Sequence, residues 1–294
     1  MHSAALFLIC AFVWGGSWYA ITFQLGSVDP LWSISYRFLL ASAAMVGISW
    51  FRKAHSPFTG RQHIRIAIQG MCGTAFWLVY LSELYITSAL SALVCTTVLY
   101  LNVIIGRVWL GNPVRWPVVT GGVLGSFGIA LLFLPELWSG LHSGFLKGVG
   151  LAFAGCIFFS IGSLTCEVNK REGLPLLPVV TLAMFYSALF MIVLALLCGK
   201  PPAFQWSLAY VISLIYLALF GSILAMASYM ALIGRIGADK TAYVDVVYPI
   251  VALGISTLFE GYQWTPMAVV GVGLVVVGNL IAMSTRSQQK QSVV

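Results

Sequence analysis

Leu177–Cys198 reads LPVVTLAMFYSALFMIVLALLC and holds no charged residue. A helix of about 20 residues, rising 1.5 Å per residue, crosses the roughly 30 Å hydrocarbon layer of a bilayer. Core helices of water-soluble domains keep a polar face, so an unbroken apolar run of this length reads as a membrane span. The same pattern recurs outward from it in both directions. With Gly, Pro and charge as punctuation, spans are expected at 3–23, 31–51, 65–86, 90–110 and 117–135, then at 147–167, 177–198, 208–232, 241–259 and 265–284. The expectation is an all-α membrane protein of ten transmembrane helices with almost no soluble part.

Composition agrees. Of the 294 residues 60% are hydrophobic and 8% charged, against roughly 25% charged in ordinary soluble domains. The net charge of +7 does not point to nucleic acid, because the cations sit in short loops and form no single patch or stripe. The six cysteines show no C-x-x-C spacing and fall within or at the ends of apolar runs, where they read as packing thiols. The first apolar segment lacks a basic lead-in and a small-residue cleavage site, so it reads as a retained helix.

Charge orients the spans. With both termini on one side, the loops there carry Arg52, Lys53, Arg61, Arg65, Arg107, Arg115, Lys170, Arg171, Arg235, Lys240, Arg286 and Lys290, while the opposite loops carry only Lys147 and Lys200. The positive-inside rule then puts both termini in the cytoplasm. Residues 285–294, polar and basic, read as a disordered cytoplasmic tail. Trp32, Trp50, Trp138 and Trp206 read as interfacial belt residues.

Sliding the chain by 148 positions brings Gly73 onto Gly221, Val98 onto Val246, Tyr100 onto Tyr248, Gly106 onto Gly254 and Trp116 onto Trp264. The shift is about half the chain. Five spans separate equivalent points, so the halves, 1–140 and 141–284, must enter the membrane in opposite directions. That is the inverted-repeat plan of many transporters, in which one half rocks against the other around a midplane site.

These motifs resemble those of the drug/metabolite transporter superfamily, specifically its EamA-type branch of ten-helix carriers. The likeness is carried by Trp14-Gly15, Arg37-Phe38, Tyr248-Pro249 followed by Phe259-Glu260, and the pair Trp116 and Trp264. The family pattern has a proline in the fourth helix and a Gly-Glu pair after it, where this chain has Leu101 and Gly111-Asn112. The first half is thus degenerate, and Pro249 is left as the main expected kink. The resemblance implies a bacterial inner-membrane carrier with a basket-like fold and a central cavity, commonly an exporter of amino acids or other small metabolites.

Several residues stand out within the spans. Arg37 and Glu83 lie at similar depth in the second and third helices and are the expected mutual partners, since an ionised side chain there costs about 2.5–3.5 kcal/mol unless paired or wet. They could pin two helices, or Arg37 could receive a substrate carboxylate and Glu83 a proton. Asp245 and Tyr248 share a helix face, as do their shifted counterparts Thr97 and Tyr100. Trp14 and Trp18, and Phe76 with Tyr80 and Glu83, also follow helical spacing and could line a pocket. The expected substrate-binding set is therefore Trp14, Trp18, Arg37, Phe76, Tyr80, Tyr100 and Tyr248, with Glu83, Asp245 and Pro249 in coupling or gating. Gly121, Gly125 and Gly128, and Gly271 with Gly278, form small faces suited to close helix packing.

An intramembrane enzyme is the rival class, through Gly125-Ser126-Phe127-Gly128, but no histidine falls within a span to activate that serine. No P-loop, HExxH or paired mid-membrane carboxylates occur, so no cofactor or metal is expected. A channel or facilitator is the other alternative. The reading is a secondary carrier, with the lipid bilayer and a small amphipathic or zwitterionic metabolite as its partners.

Overall fold

The computed structural model describes residues 3–284 apart from 27, 54–56, 72, 112–113, 115, 139–143, 230, 233–234 and 236–243. The tail 285–294 lies outside the described residues, as do Arg115, Lys240, Arg286, Lys290, Asn112 and the side chain of Trp138. Within them all regular structure is helical. Helix α1 runs Ser3–Thr22, α2 Pro30–Phe51, α3 Gly60–Gly70, α4 Gly73–Ser82, α5 Ser88–Cys95, α6 Val98–Leu110 and α7 Trp116–Trp138. Then come α8 Phe145–Arg171, α9 Leu176–Leu197 and α10 Leu208–Ile215, a π-helical segment Tyr216–Leu224 that runs on into α11 (225–229), α12 Val244–Phe259 and α13 Pro266–Ser284. Seven helical stretches are long and apolar enough to cross a membrane, and three shorter apolar ones, Trp116–Leu131, Val244–Phe259 and Pro266–Ala282, accompany them.

Local chemistry sets the helix ends. Asp29 caps α2 by accepting from Leu31 N at 3.0 Å, with Pro30 at the first turn where its missing N–H costs nothing, and Lys200 holds the Asp29 carboxylate at 3.3 Å. Thr59 and Gln62 form a reciprocal capping box that starts α3. Gly261, at φ +70, turns the chain out of α12 so that Tyr262 N reaches back to Ser256 O at 3.2 Å.

Two of the expected spans are each divided. The fourth breaks at Thr96 and Thr97, whose hydroxyls donate to the carbonyls of Leu93 and Val94 at 2.8 and 2.7 Å and compete with the helical ladder. The third breaks between Gly70 and Gly73, where Ser187 Oγ takes the Gly70 carbonyl. By contrast α12 runs unbroken through Pro249, which removes only the donor for the Asp245 carbonyl.

Helices α7 and α13 pack most extensively, followed by α2 with α9, α4 with α8 and α1 with α12. The α7–α13 crossing is backbone to backbone: a Cβ on Gly121 would lie 2.3 Å from Gly278 O, and one on Gly128 would lie 2.6 Å from Gly271 O. The two small faces read from the sequence thus meet each other. Bulky apolar side chains such as Phe12, Val123 and Leu197 point outward, as a lipid-facing surface requires. Trp50 and Trp206 are exposed, in keeping with a belt position. Trp32 is not: it is buried, stacks on Tyr36 and donates its indole N–H to Lys200 O at 3.1 Å, because the chain at Lys200 folds over it.

One ion pair joins the middle of α3 to the end of α8, where Arg65 grips the Glu172 carboxylate with both guanidinium nitrogens. The Arg65 hydrogen bond holds the Glu172 carboxyl below its ordinary value of 4.5. A depressed carboxyl stabilises the fold above the unfolded value, and that contribution disappears as pH falls through the folded one. The melting-temperature difference between the wild type and Glu172→Gln is accordingly expected to be small at pH 7, because the pair is exposed, to shrink as pH falls below 4.5 and to vanish below the lower folded value.

Candidate functional site

Arg37 sits two turns into α2 and is 4% exposed. Its Nε donates to Ser222 Oγ at 3.2 Å, and its guanidinium carbon lies 4.8 Å from the Phe76 ring centroid and 5.7 Å from that of Phe38. Ring contacts of this kind contribute about 0.5–2 kcal/mol. That does not complete the solvation of a buried guanidinium, and Nη1 is buried with no hydrogen-bond partner among the described residues.

Ser222 reaches Arg37 because the backbone there is π-helical. Ala225 N bonds Phe220 O five residues back, and the Ser222 hydroxyl likewise donates to Leu217 O at 3.0 Å. An α-helical turn would have bonded Ala225 N to Gly221 O; instead that carbonyl accepts the Trp14 indole at 3.1 Å. Tyr216 Oη donates to Val13 O at 2.8 Å and ties the same segment to α1. Gly221 is the meeting point: a Cβ there would lie 3.0 Å from Ser17 Oγ and 3.7 Å from Arg37 Nη2.

Tyr80 on α4 is fully buried, in electrostatic reach of both Arg37 and Glu83, and its hydroxyl closes no hydrogen bond of ordinary geometry with a described residue. Glu83 follows in the turn that ends α4, and both of its carboxylate oxygens are buried without a partner among the described residues. Its electrostatic neighbour is Glu260, whose Oε2 accepts from Ser88 Oγ at 2.7 Å. The expected Arg37–Glu83 ion pair does not form. Among the described residues the salt bridges are Arg65–Glu172, Arg171–Glu167 and Lys200–Asp29. Equal depth along two helices does not fix their rotation, and Tyr80 instead occupies the position in reach of both charges.

An aromatic set adjoins this polar one. Tyr248 stacks on Trp18 with centroids 6.4 Å apart and meets Trp14 edge-on at the same distance. Helices α1 and α12 approach closely because position 15 is glycine: a Cβ there would stand 2.6 Å from Val251 Cγ1. Tyr229 lies 5.2 Å from Trp14 and donates to Asp245 Oδ2 at 3.4 Å, and Asp245 itself is exposed. Trp14 joins the two sets, because Gly221, whose carbonyl takes its indole at 3.1 Å, would place a Cβ 3.7 Å from Arg37 Nη2.

Tyr100 is placed apart from them. Its hydroxyl donates to Asn279 Oδ1 at 2.7 Å, and its ring fills the groove left by Gly122 and Gly125 on α7. Sequence reasoning did not single out Ser222, Ser88 or Asn279, which are ordinary polar residues without spacing or charge to mark them. Glu260 was visible only as part of a motif. Among the described residues no cluster of three or more His, Cys, Asp or Glu could hold a metal ion.

Comparison with known proteins matches this architecture. A family model described as the EamA-like transporter family matches residues 2–134 and again 146–284. Protein PagO of Salmonella typhimurium is 20% identical over 297 residues, covering 98% of this chain and 97% of that protein. The uncharacterized inner membrane transporter YedA of Escherichia coli K12 is 26% identical over 272 residues, covering 90% of this chain and 85% of its own. A solved crystal structure superposes with a TM-score of 0.68 at 15% identity, over 98% of this chain and 99% of the other, which bears on the fold alone. The multi-pass helical architecture and the two family matches, which together span nearly the whole chain, establish that it belongs to the EamA-like transporter family and is a membrane transporter.

Proposed function

We propose that the chain is a secondary carrier of ten spans in two inverted halves, with both termini cytoplasmic, that exports small amphipathic or zwitterionic metabolites such as amino acids by alternating access. The observation that carries this reading is the buried set Arg37, Tyr80 and Glu83, which holds polar atoms without a partner among the described residues. Groups of this kind persist inside a membrane where water or substrate meets them during the working cycle.

The helix pairing supports two equivalent halves. Exchanging each helix for its counterpart in the other half maps α4 against α8 onto the π segment against α1, and α1 against α12 onto α8 against α6. The pairs α2–α9 and α7–α13 map onto themselves. Such an exchange is that of a pseudo-twofold axis, and with five spans in each half that axis would lie in the membrane plane, the geometry on which rocking carriers are built. The double match of the family model favours the same division.

The apolar part of the substrate would rest against Trp14, Trp18 and Tyr248. Tyr248→Ala removes a ring against which the substrate would rest, and one aromatic contact of that kind contributes about 0.5–1.5 kcal/mol. Counterflow of labelled amino acids in proteoliposomes is therefore expected to fall about tenfold, with folded yield changed by less than about twofold. Equal loss of both would make Tyr248 a structural residue, and flux that never saturates would make the protein a pore.

A further inference from the structure

The polar set has a feature that a general amphipathic site does not need: its unspent groups are of opposite sign and form no ion pair with each other. Among the described residues Arg37 Nη1, the Tyr80 hydroxyl and both Glu83 oxygens have no partner, and Phe76, whose ring lies 4.8 Å from the Arg37 guanidinium carbon, shares one helical face with Tyr80 and Glu83. The two charges do not neutralise each other, although each is buried. Arg37 is fixed in place by Ser222 and the Phe38 and Phe76 rings, so its free edge has a set direction. Glu83 has the second carboxyl, Glu260, as its neighbour, and Glu260 is held by Ser88. Two nearby carboxyls favour a cation at that end.

We infer that Arg37, Tyr80 and Glu83 form a split-charge clamp for the head of a zwitterion, with Arg37 taking the carboxylate, Glu83 the ammonium and the Tyr80 hydroxyl bridging between them. This rests on the carrier reading and assigns the residues that set its selectivity. A simple anion would meet Arg37 but leave Glu83 unmet beside Glu260. A simple amine would meet Glu83 but leave the Arg37 donor unspent. Only a solute carrying both charges satisfies both ends, and a site left with one buried polar group unmet loses about tenfold to a hundredfold in affinity.

The test uses the full chain in proteoliposomes. Each of the twenty common L-amino acids is tried as labelled counterflow substrate, and one that moves is competed against its decarboxylated and deaminated analogues; for L-phenylalanine these are 2-phenylethylamine and 3-phenylpropionate. The wild type is expected to prefer the zwitterion over either analogue by at least about tenfold. Arg37→Gln should bring the amine within about twofold of the zwitterion while the acid stays disfavoured, and Glu83→Gln should do the reverse. Tyr80→Phe, which keeps the shape of the core, should weaken both preferences, and it decides the matter together with the wild type should the charge variants not fold.

A wild type that treats all three solutes alike, or variants that leave selectivity unchanged, overturns the clamp. Saturable counterflow of uncharged or singly charged solutes alone also overturns it, yet leaves the carrier reading standing. If no solute shows saturable counterflow the carrier reading fails, and thermal shifts produced by the same three ligands then decide the clamp by binding: a shift with the zwitterion alone supports it, and equal or absent shifts refute it.

Discussion

Arg37→Met is expected to cut transport by about a hundredfold or more while leaving the melting temperature of the solubilised protein unchanged or raised. The two outcomes part because the guanidinium is only partly satisfied where it lies. It has one hydrogen bond to Ser222, contacts with two rings, and a buried nitrogen without a partner among the described residues. Replacing a buried ion by an apolar side chain of similar volume is often neutral or stabilising. Methionine fits beside Phe38 and Phe76, and Ser222 keeps its bond to Leu217 O. Transport loses the charge-assisted bonds to substrate, each contributing about 1.5–3 kcal/mol, and two of them amount to a hundredfold or more. Initial counterflow rates per folded molecule and a thermal unfolding curve check both halves. A variant that unfolds but retains its rate per folded molecule would make Arg37 a structural bolt.

The largest effect on folding is expected at the α7–α13 crossing. Gly278→Leu places a Cβ 2.5 Å from Gly121 O and 2.8 Å from Gly125 N, and both are backbone atoms that cannot move unless the helices part. Close approach of this sort is what small residues provide within membranes, where lipid offers no hydrophobic drive for helix association. A loss of several kcal/mol and of most folded yield is expected. Gly273→Leu on the same helix is the control: nothing lies within 4 Å of its Cβ, and stability should stay within about 0.5 kcal/mol. Folded yield by size exclusion in detergent reads both, and equal behaviour of the two variants would refute the crossing.

Seven helical stretches long and apolar enough to cross a membrane, with three shorter apolar ones, were legible in the sequence because lipid imposes a length and a composition on every crossing helix. The small faces of α7 and α13 were legible for the same kind of reason, since glycine at helical spacing has few other uses there. Rotation about each helix was not. Arg37 and Glu83 lie at matched depth, but depth says nothing of the direction each side chain takes. Trp32 stands at a span end, where indoles often meet the headgroups, and only the fold of the chain near Lys200 reveals that it is covered. The π segment had no announcement either, since Tyr216–Leu224 contains no proline and a single glycine.

Tyr100 shows how a sequence match between the two halves can mislead. Tyr100 and Tyr248 match across the shift, yet the groove that takes the Tyr100 ring is made by Gly122 and Gly125, whose shifted counterparts are Val270 and Gly273. The second half carries exposed Val270 at one of these positions, and Tyr248 packs instead against Trp14 and Trp18. The halves can therefore share a backbone plan while their aromatic residues serve different purposes.

Access to Ser222, whose hydroxyl holds Arg37 at the heart of the polar set, tests the account most directly. A single cysteine at that position, in a background with the six native cysteines replaced, is exposed in sealed vesicles to a membrane-impermeant thiol reagent added from one side or the other. The account predicts labelling from each side, slowed from both by a transported amino acid. Labelling from neither side, or from one side only whatever the substrate, would contradict a centrally placed site reached in alternation.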